Sequence, residues 1–235
     1  MKKICILICC LVTGYVASGQ ILVAIVFGDK LNSGKLEFGL MTGPVLSNIS
    51  NADAKAKMGL DLGLYFDVNV SDRFVFHPEV IVKSALGAKG ITPYATGDKL
   101  LDSLFKGGEV LRKFKAISLP FMCRYRIAGL LFVEAGPQIN WMVNAKDIFK
   151  TKENDGKVSY TTDINSSITM LDIGFAGGLA YRLRKYGGIS FALRYARGIT
   201  DIEKNTAGSQ QNSTLLFNVY IPIGATKATK LKDGK

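Results

Sequence analysis

A chain of 235 residues with 25 glycines, 13 phenylalanines and 9 tyrosines favours strands and tight turns, and fits one sizeable, mainly β domain. Its formal net charge of +11 is spread along loops and over the tail "TKATKLKDGK". Without a single aromatic-studded basic patch, this argues against nucleic acid as a partner and reads as solvation and attraction to anionic lipid head groups.

The first nineteen residues, "MKKICILICCLVTGYVASG", carry two lysines, an apolar run from Ile4 to Val12 and small residues at Ala17 and Gly19. That is the order of a secretory signal peptide cleaved after Gly19. The alternative is an uncleaved amino-terminal anchor that continues through "ILVAIVF", Ile21 to Phe27. Cleavage makes Gln20 the first mature residue, so no cysteine is placed there for lipid attachment. It also removes Lys2 and Lys3, and with them Cys5, Cys9 and Cys10. Only Cys123 remains, so the exported chain forms no internal disulfide and relies on packing or on closure of a sheet. Residues 20–34 are expected to form a periplasmic lead-in, 35–224 the barrel domain and 225–235 a basic C-terminal tail.

Beyond the signal there is no second uninterrupted apolar run long enough for a membrane helix. Alternation with period two takes its place. A first, less regular strand spans Lys35 to Asn48. In the second, Leu60, Leu62, Leu64, Phe66, Val68 and Val70 share one face and Asp61, Gly63, Tyr65, Asp67 and Asn69 the other. After a turn at Ser71 and Asp72, the third sets Phe74, Phe76, Val80 and Val82 opposite His77, Glu79 and Lys83. The fourth, Lys113 to Ile127, alternates Ile117, Leu119, Phe121, Cys123, Tyr125 and Ile127 with Ser118, Pro120, Met122, Arg124 and Arg126. A turn at Ala128 and Gly129 leads to the fifth, which opens "LFVEAGPQINW". The sixth runs from Ser167 to about Arg184, the seventh displays Ile189, Phe191, Leu193 and Tyr195 after a turn at Tyr186 and Gly187, and the eighth shows Leu215, Phe217, Val219, Ile221 and Ile223.

Short turns alternate with long connections: Asn48 to Lys57, Gly87 to Arg112, Ala145 to Ser166 and Ile199 to Asn212. The predicted fold is therefore all-β, an eight-stranded antiparallel up-and-down transmembrane β-barrel of the outer membrane, closed and with a small lumen. Lipid accepts no open sheet edge, so a spanning sheet must close, and closure gives each strand one hydrocarbon face and one interior face. Phe74, Tyr125, Trp141, Tyr181 and Tyr195 are placed to meet the lipid interfaces. Glu79, Lys83, Arg124, Arg126, Glu134, Asp172, Arg182, Arg184 and Arg194 recur on the inner phase. In a narrow barrel they are expected to pair with each other and plug the interior, with Glu134 meeting Arg124 or Arg182.

No residue is assigned to catalysis, to a metal or to a cofactor. His77 is one histidine where a zinc site asks for three or four convergent ligands, and reads as structural. Cys123 lies on the apolar phase as a buried or lipid-facing thiol. "TKENDGKVSY", Thr151 to Tyr160, approaches a calcium loop but has Thr162 where a bidentate glutamate is required, and reads as an exposed turn. "GFAGG", Gly174 to Gly178, lies inside a strand and thins it beside bulky interior neighbours such as Arg182 or Met142. Glu79 and Glu134 are carboxylates of the kind used in acid–base work, but the arginines nearby favour an ion-pair network. The connection from Gly87 to Arg112 accommodates a short amphipathic helix or an extra hairpin and is the best place for a ligand or partner contact.

The ordered segments "FGLMTGPVLSNIS", "GLDLGLYFDVNVSDRFVFHPEVIVKS", "ISLPFMCRYRI", "LFVEAGPQINWMVNAKDIF", "LDIGFAGGLAYRL" and "GISFALRYARGITDI" resemble the successive strands of the PorT-like outer-membrane β-barrel proteins of Bacteroidetes. The resemblance spans Lys35 to Ile223. It implies an eight-stranded barrel with its amino terminus on the periplasmic side, and a founding member tied to protein secretion.

The expected function is a non-enzymatic integral barrel acting structurally or through long external loops, in contact with outer-membrane lipid and with envelope or secretion proteins. The alternatives are an accessory protein in export across the outer membrane, and a soluble exported β-barrel binding a small apolar ligand. The soluble form requires an apolar interior and a polar exterior, so the facing of Asp172 and Ile173 separates the readings.

Overall fold

The computed structural model describes residues 35–153, 156–184, 188–204 and 208–223. The expected signal, lead-in and basic tail, and the turn at Tyr186 and Gly187, lie outside the described residues. Among the described residues there are nine strands: β1 (Leu36–Ile49), β2 (Lys55–Asn69), β3 (Phe74–Ile91), β4 (Glu109–Ala128), β5 (Leu131–Glu153), β6 (Gly156–Asp163), β7 (Leu171–Arg182), β8 (Ser190–Gly198) and β9 (Asn212–Pro222). A six-residue helix, α1 (Lys99–Leu104), lies between β3 and β4. None of the described helices is long and apolar enough to cross a membrane.

The sheet runs β4-β3-β2-β1-β9-β8-β7-β5-β6, and β4 also pairs with β5. These antiparallel pairings form a ring in which β6 is attached only to the distal part of β5, from Lys146 to Glu153. Short turns gather at one end. There Ser71 Oγ accepts from the amide of Phe74 at 3.1 Å, and Gly129 adopts a φ of 52°, which favours glycine.

The strands face as period two requires. Asp172 is fully buried while its neighbour Ile173 is 40% exposed. Outward residues such as Phe121, Val133, Trp141, Phe175, Leu179, Leu193 and Phe217 make a continuous apolar belt. Cys123 faces outward in the same belt. This overturns the solubility of the soluble-barrel alternative, which needs a polar exterior, and leaves its small apolar ligand untouched.

Two inner-phase assignments are corrected. A register shift in β3 between Ile81 and Ser84 reverses the facing, so Lys83 is exposed. Arg184 falls just past the end of β7 and is also exposed. The expected connection from Ala145 to Ser166 is also largely strand, taken up by the end of β5 and by β6; β4 is 20 residues long and β5 is 23, far beyond the roughly 9–11 that cross a bilayer. Their alternation is interrupted by a shift where Lys115 pairs with Asn144 but Ala116 pairs with Met142. Such a bulge ends a simple period-two pattern while hydrogen bonding continues past it.

Candidate functional site

The interior is built in layers. Nearest the short turns, Arg194 donates from Nε to Glu134 at 2.8 Å and from Nη2 to Glu79 at 2.8 Å. Arg124 Nε donates to the other Glu134 oxygen at 2.7 Å. Arg182 pairs with Asp67, and its Nη2 lies 3.8 Å from Glu37. His77 sits between Asp67 and Glu79, with Nε2 2.8 Å from the latter. Tyr220 donates to Glu79 at 2.7 Å. Three buried arginines thus face three buried carboxylates, and the charges that would be costly alone are paired and hydrogen-bonded.

Above this network lies a layer of amides around one acid, where Asn140 and Asn212 donate to Asp172 Oδ2 at 3.0 and 2.9 Å. Next comes an apolar layer containing Ile49, Leu86, Phe114, Met142, Ile164, Ile168 and Ile202. Ion pairs, amides and aliphatics together fill the ring, so the interior is a packed plug.

The long connections converge above the apolar layer on a cavity of about 540 Å³. Its walls include Asn51 and Asp53 from the β1–β2 connection, Ile91 and Tyr94 from β3 and the residues after it, Ile164 between β6 and β7, and Gln210 before β9. At its base Arg112 donates from Nε to Asp147 at 2.9 Å and also pairs with Glu203. The Tyr94 hydroxyl donates to Asp147 at 2.8 Å. Burial, and then the Asp147 carboxylate, raise the tyrosine pKa. Ile91 and Ala52 pack against the apolar layer to which Ile164 belongs, so the lining is apolar beside the Arg112–Glu203 pair. Gln210 Oε1 is buried with no hydrogen-bond partner among the described residues.

The connection from Gly87 to Arg112 does contribute to this cup, and of the two forms expected it contains the helix. Asp98 caps α1 by accepting from the Leu100 amide at 2.8 Å. Phe105, just past its end, packs against Phe149 with ring centroids 5.8 Å apart. Glu134 finds Arg124, as expected, but Arg182 is taken by Asp67; Arg194 is the second partner instead. Glu79 and Glu134 are joined through Arg194 and are spent in ion pairs. "TKENDGKVSY" lies mostly on the β5–β6 hairpin, with its tip outside the described residues. No group of three or more acidic, histidine or cysteine side chains suited to a metal is found among the described residues. "GFAGG" lies within β7, where a Cβ on Gly178 would come within 2.2 Å of the Leu193 carbonyl oxygen. Gly174 and Gly178 therefore admit a neighbouring backbone, not a bulky side chain. Glu203, Gln210 and Asp147 carried no sequence signal as site residues, because Asp147 lies on β5 and the other two in the distant connection between β8 and β9.

The family model of the outer membrane protein beta-barrel domain matches residues 27–204. The chain belongs to this family. It is an integral β-barrel protein of the outer membrane, and its apolar belt meets lipid. No curated protein matches the sequence. Among solved structures the chain is similar to Neisserial surface protein A at 10% identity, covering 78% of this chain and 96% of that one with a TM-score of 0.39. It is also similar to Ail of Yersinia pestis, at 10% identity, 80% and 99% coverage and a TM-score of 0.42. OprG of Pseudomonas aeruginosa matches at 12% identity, 80% and 91% coverage and a TM-score of 0.32.

Proposed function

We propose that this outer-membrane barrel protein is a closed, eight-stranded barrel with a sealed lumen, PorT-like in the order of its motifs, which works as a binding module at its long-loop end. In outer-membrane barrels the long connections face outward from the cell and the short turns face the periplasm, which puts the cup outside. One observation carries the reading: four separate connections converge on one cup lined by Ile91, Ile164 and Tyr94 beside the Arg112–Glu203 pair, and by Gln210, whose buried Oε1 has no partner among the described residues. A buried acceptor without a donor is costly, and a ligand hydroxyl or amine relieves that cost.

The ligand class this favours is a small molecule with an apolar body and one hydrogen-bond donor. Its apolar part rests on Ile91 and Ile164, Tyr94 flanks it, and its donor meets Gln210. This retains the ligand of the apolar-binding alternative while placing it in a membrane protein. Titrating methyl-labelled protein in lipid nanodiscs with a water-soluble phenyl alcohol and the matching hydrocarbon tests it. Saturable shifts at the Ile91 and Ile164 methyls are expected, lost in Ile164→Arg, with Gln210→Leu abolishing the preference for the alcohol. A panel of such compounds giving no saturable shift, or the same shifts in Ile164→Arg, overturns the assignment.

A further inference from the structure

Four lysines stand together on the outer wall just above the apolar belt. Lys113 and Lys115 occupy successive outward positions on β4, Lys146 is the direct register partner of Lys113 on β5, and Lys83 projects from the β3 irregularity beside them. All four are exposed. Strand spacing of about 5 Å, and about 7 Å between alternate residues, confines them to an area the size of one head group. Below them Ile117, Trp141 and Val143 form the upper edge of the belt, with Trp141 61% and Val143 55% exposed.

The charges on this wall are not balanced from within. Among the described residues, no salt bridge includes any of the four lysines. Lys113 and Lys146 face each other directly in the ladder, an arrangement that destabilises a sheet unless an anion intervenes. Asp163 is in register with Lys146, but both its oxygens accept from Asn165, each at 2.9 Å. Glu109 lies farther up the wall, opposite Lys150. Exposed lysines continue beside the patch as the register pair Lys55 and Lys89, whereas on β8 Arg197 already donates to Gln211 at 3.3 Å.

We infer that Lys83, Lys113, Lys115 and Lys146 form a docking site for the phosphorylated head group of an outer-leaflet glycolipid, whose acyl chains continue down the belt past Trp141 and Val143. A cluster of cations directly above a hydrocarbon-facing surface is the arrangement that holds an anionic head group, and an acyl-anchored phosphate satisfies both surfaces together. The inference rests on the transmembrane barrel, with its long hairpins outward, and not on the ligand assigned to the cup.

The test uses the full-length mature chain folded in mild detergent, with bis-phosphorylated lipid A as the probe and native mass spectrometry as the readout. A one-to-one adduct is expected, absent with dephosphorylated lipid A and disappearing at high salt. The double variant Lys113→Gln/Lys146→Gln is expected to bind roughly thirtyfold more weakly, while Lys99→Gln on α1 binds as before. Equal retention by wild type and double variant, equal retention of dephosphorylated lipid, or indifference to salt overturns the site. Full displacement by inorganic pyrophosphate overturns the lipid as its occupant. Heat-modifiable gel mobility, recorded alongside, reports the barrel separately: its loss in the wild type counts against the transmembrane barrel, and its retention without an adduct counts against the lysine site alone. If the variant fails to keep that mobility, the wild-type salt and dephosphorylation arms still decide.

Discussion

Arg124 on β4 and Glu134 on β5 are direct partners in the ladder, and their side chains meet inside the ring at 2.7 Å. Local register thus delivers one arm of the plug, while Arg194 arrives across the interior to take the other Glu134 oxygen. Removing Glu134 leaves two buried guanidinium groups short of a counter-charge. Glu134→Ala is expected to cost about 3–5 kcal/mol, measured as the shift in urea unfolding of protein refolded into lipid vesicles. A loss below about 1 kcal/mol, the range of exposed pairs, contradicts the plug.

The two faces of a strand predict unequal responses to the same new charge. Leu179 is 51% exposed in the belt, and Leu179→Arg should cost about 2–4 kcal/mol near mid-membrane. Gln138 faces the interior and hydrogen-bonds Asn140, in the layer that surrounds Asp172; Gln138→Arg brings a cation towards that acid and should lose less. Refolding yields of the two variants in the same lipid check the order.

Two adjacent glycines in β7 separate close approach from simple smallness. A Cβ on Gly178 would come within 2.2 Å of the Leu193 carbonyl and 2.8 Å of the Arg194 Cα, so Gly178→Ala forces β7 and β8 apart at a cost of about 1–3 kcal/mol. At Gly177 the nearest atom is the Glu134 carbonyl oxygen at 3.6 Å, an ordinary contact. Gly177→Ala should unfold close to wild type in the same thermal or urea series.

The connection carrying α1 should respond to acid. Asp102 accepts from the Thr96 amide and hydroxyl, both at 2.7 Å, and these bonds hold its carboxyl below the ordinary value. A depressed carboxyl contributes order that is complete above the ordinary aspartate value of about 4 and is lost as pH falls through its lower folded value. Amide exchange at Thr96 should accelerate over that acid range in the wild type. Asp102→Asn should exchange faster at neutral pH and show little of that additional acid-dependent change.

Much of the barrel was legible because alternation is a local property. Leu60 to Val70 and Ile117 to Ile127 could face only one way once the belt was assigned, and Asp172 and Ile173 follow from the same backbone pleat. Reading stopped where the pleat is interrupted. The shift after Ile81 turned Lys83 outward, and the irregularity at Asn144 disguised the outer half of β5 and the β6 return as a loop. Neither leaves a composition signature, because a bulge changes facing without changing residue type.

The sequence by itself determined that the chain is a run of antiparallel strands, which side of most of them is apolar and that the polar side must neutralise itself. Pleat and hydrophobicity settle these within a dozen residues. Only the tertiary structure decided that Arg182 reaches Asp67 from a strand 115 positions away, that Glu134 shares Arg194, and that Gln210, Tyr94 and Glu203 meet in one cup. Contacts across the interior depend on the stagger of every strand around the ring, a sum of registers and bulges that no single segment encodes.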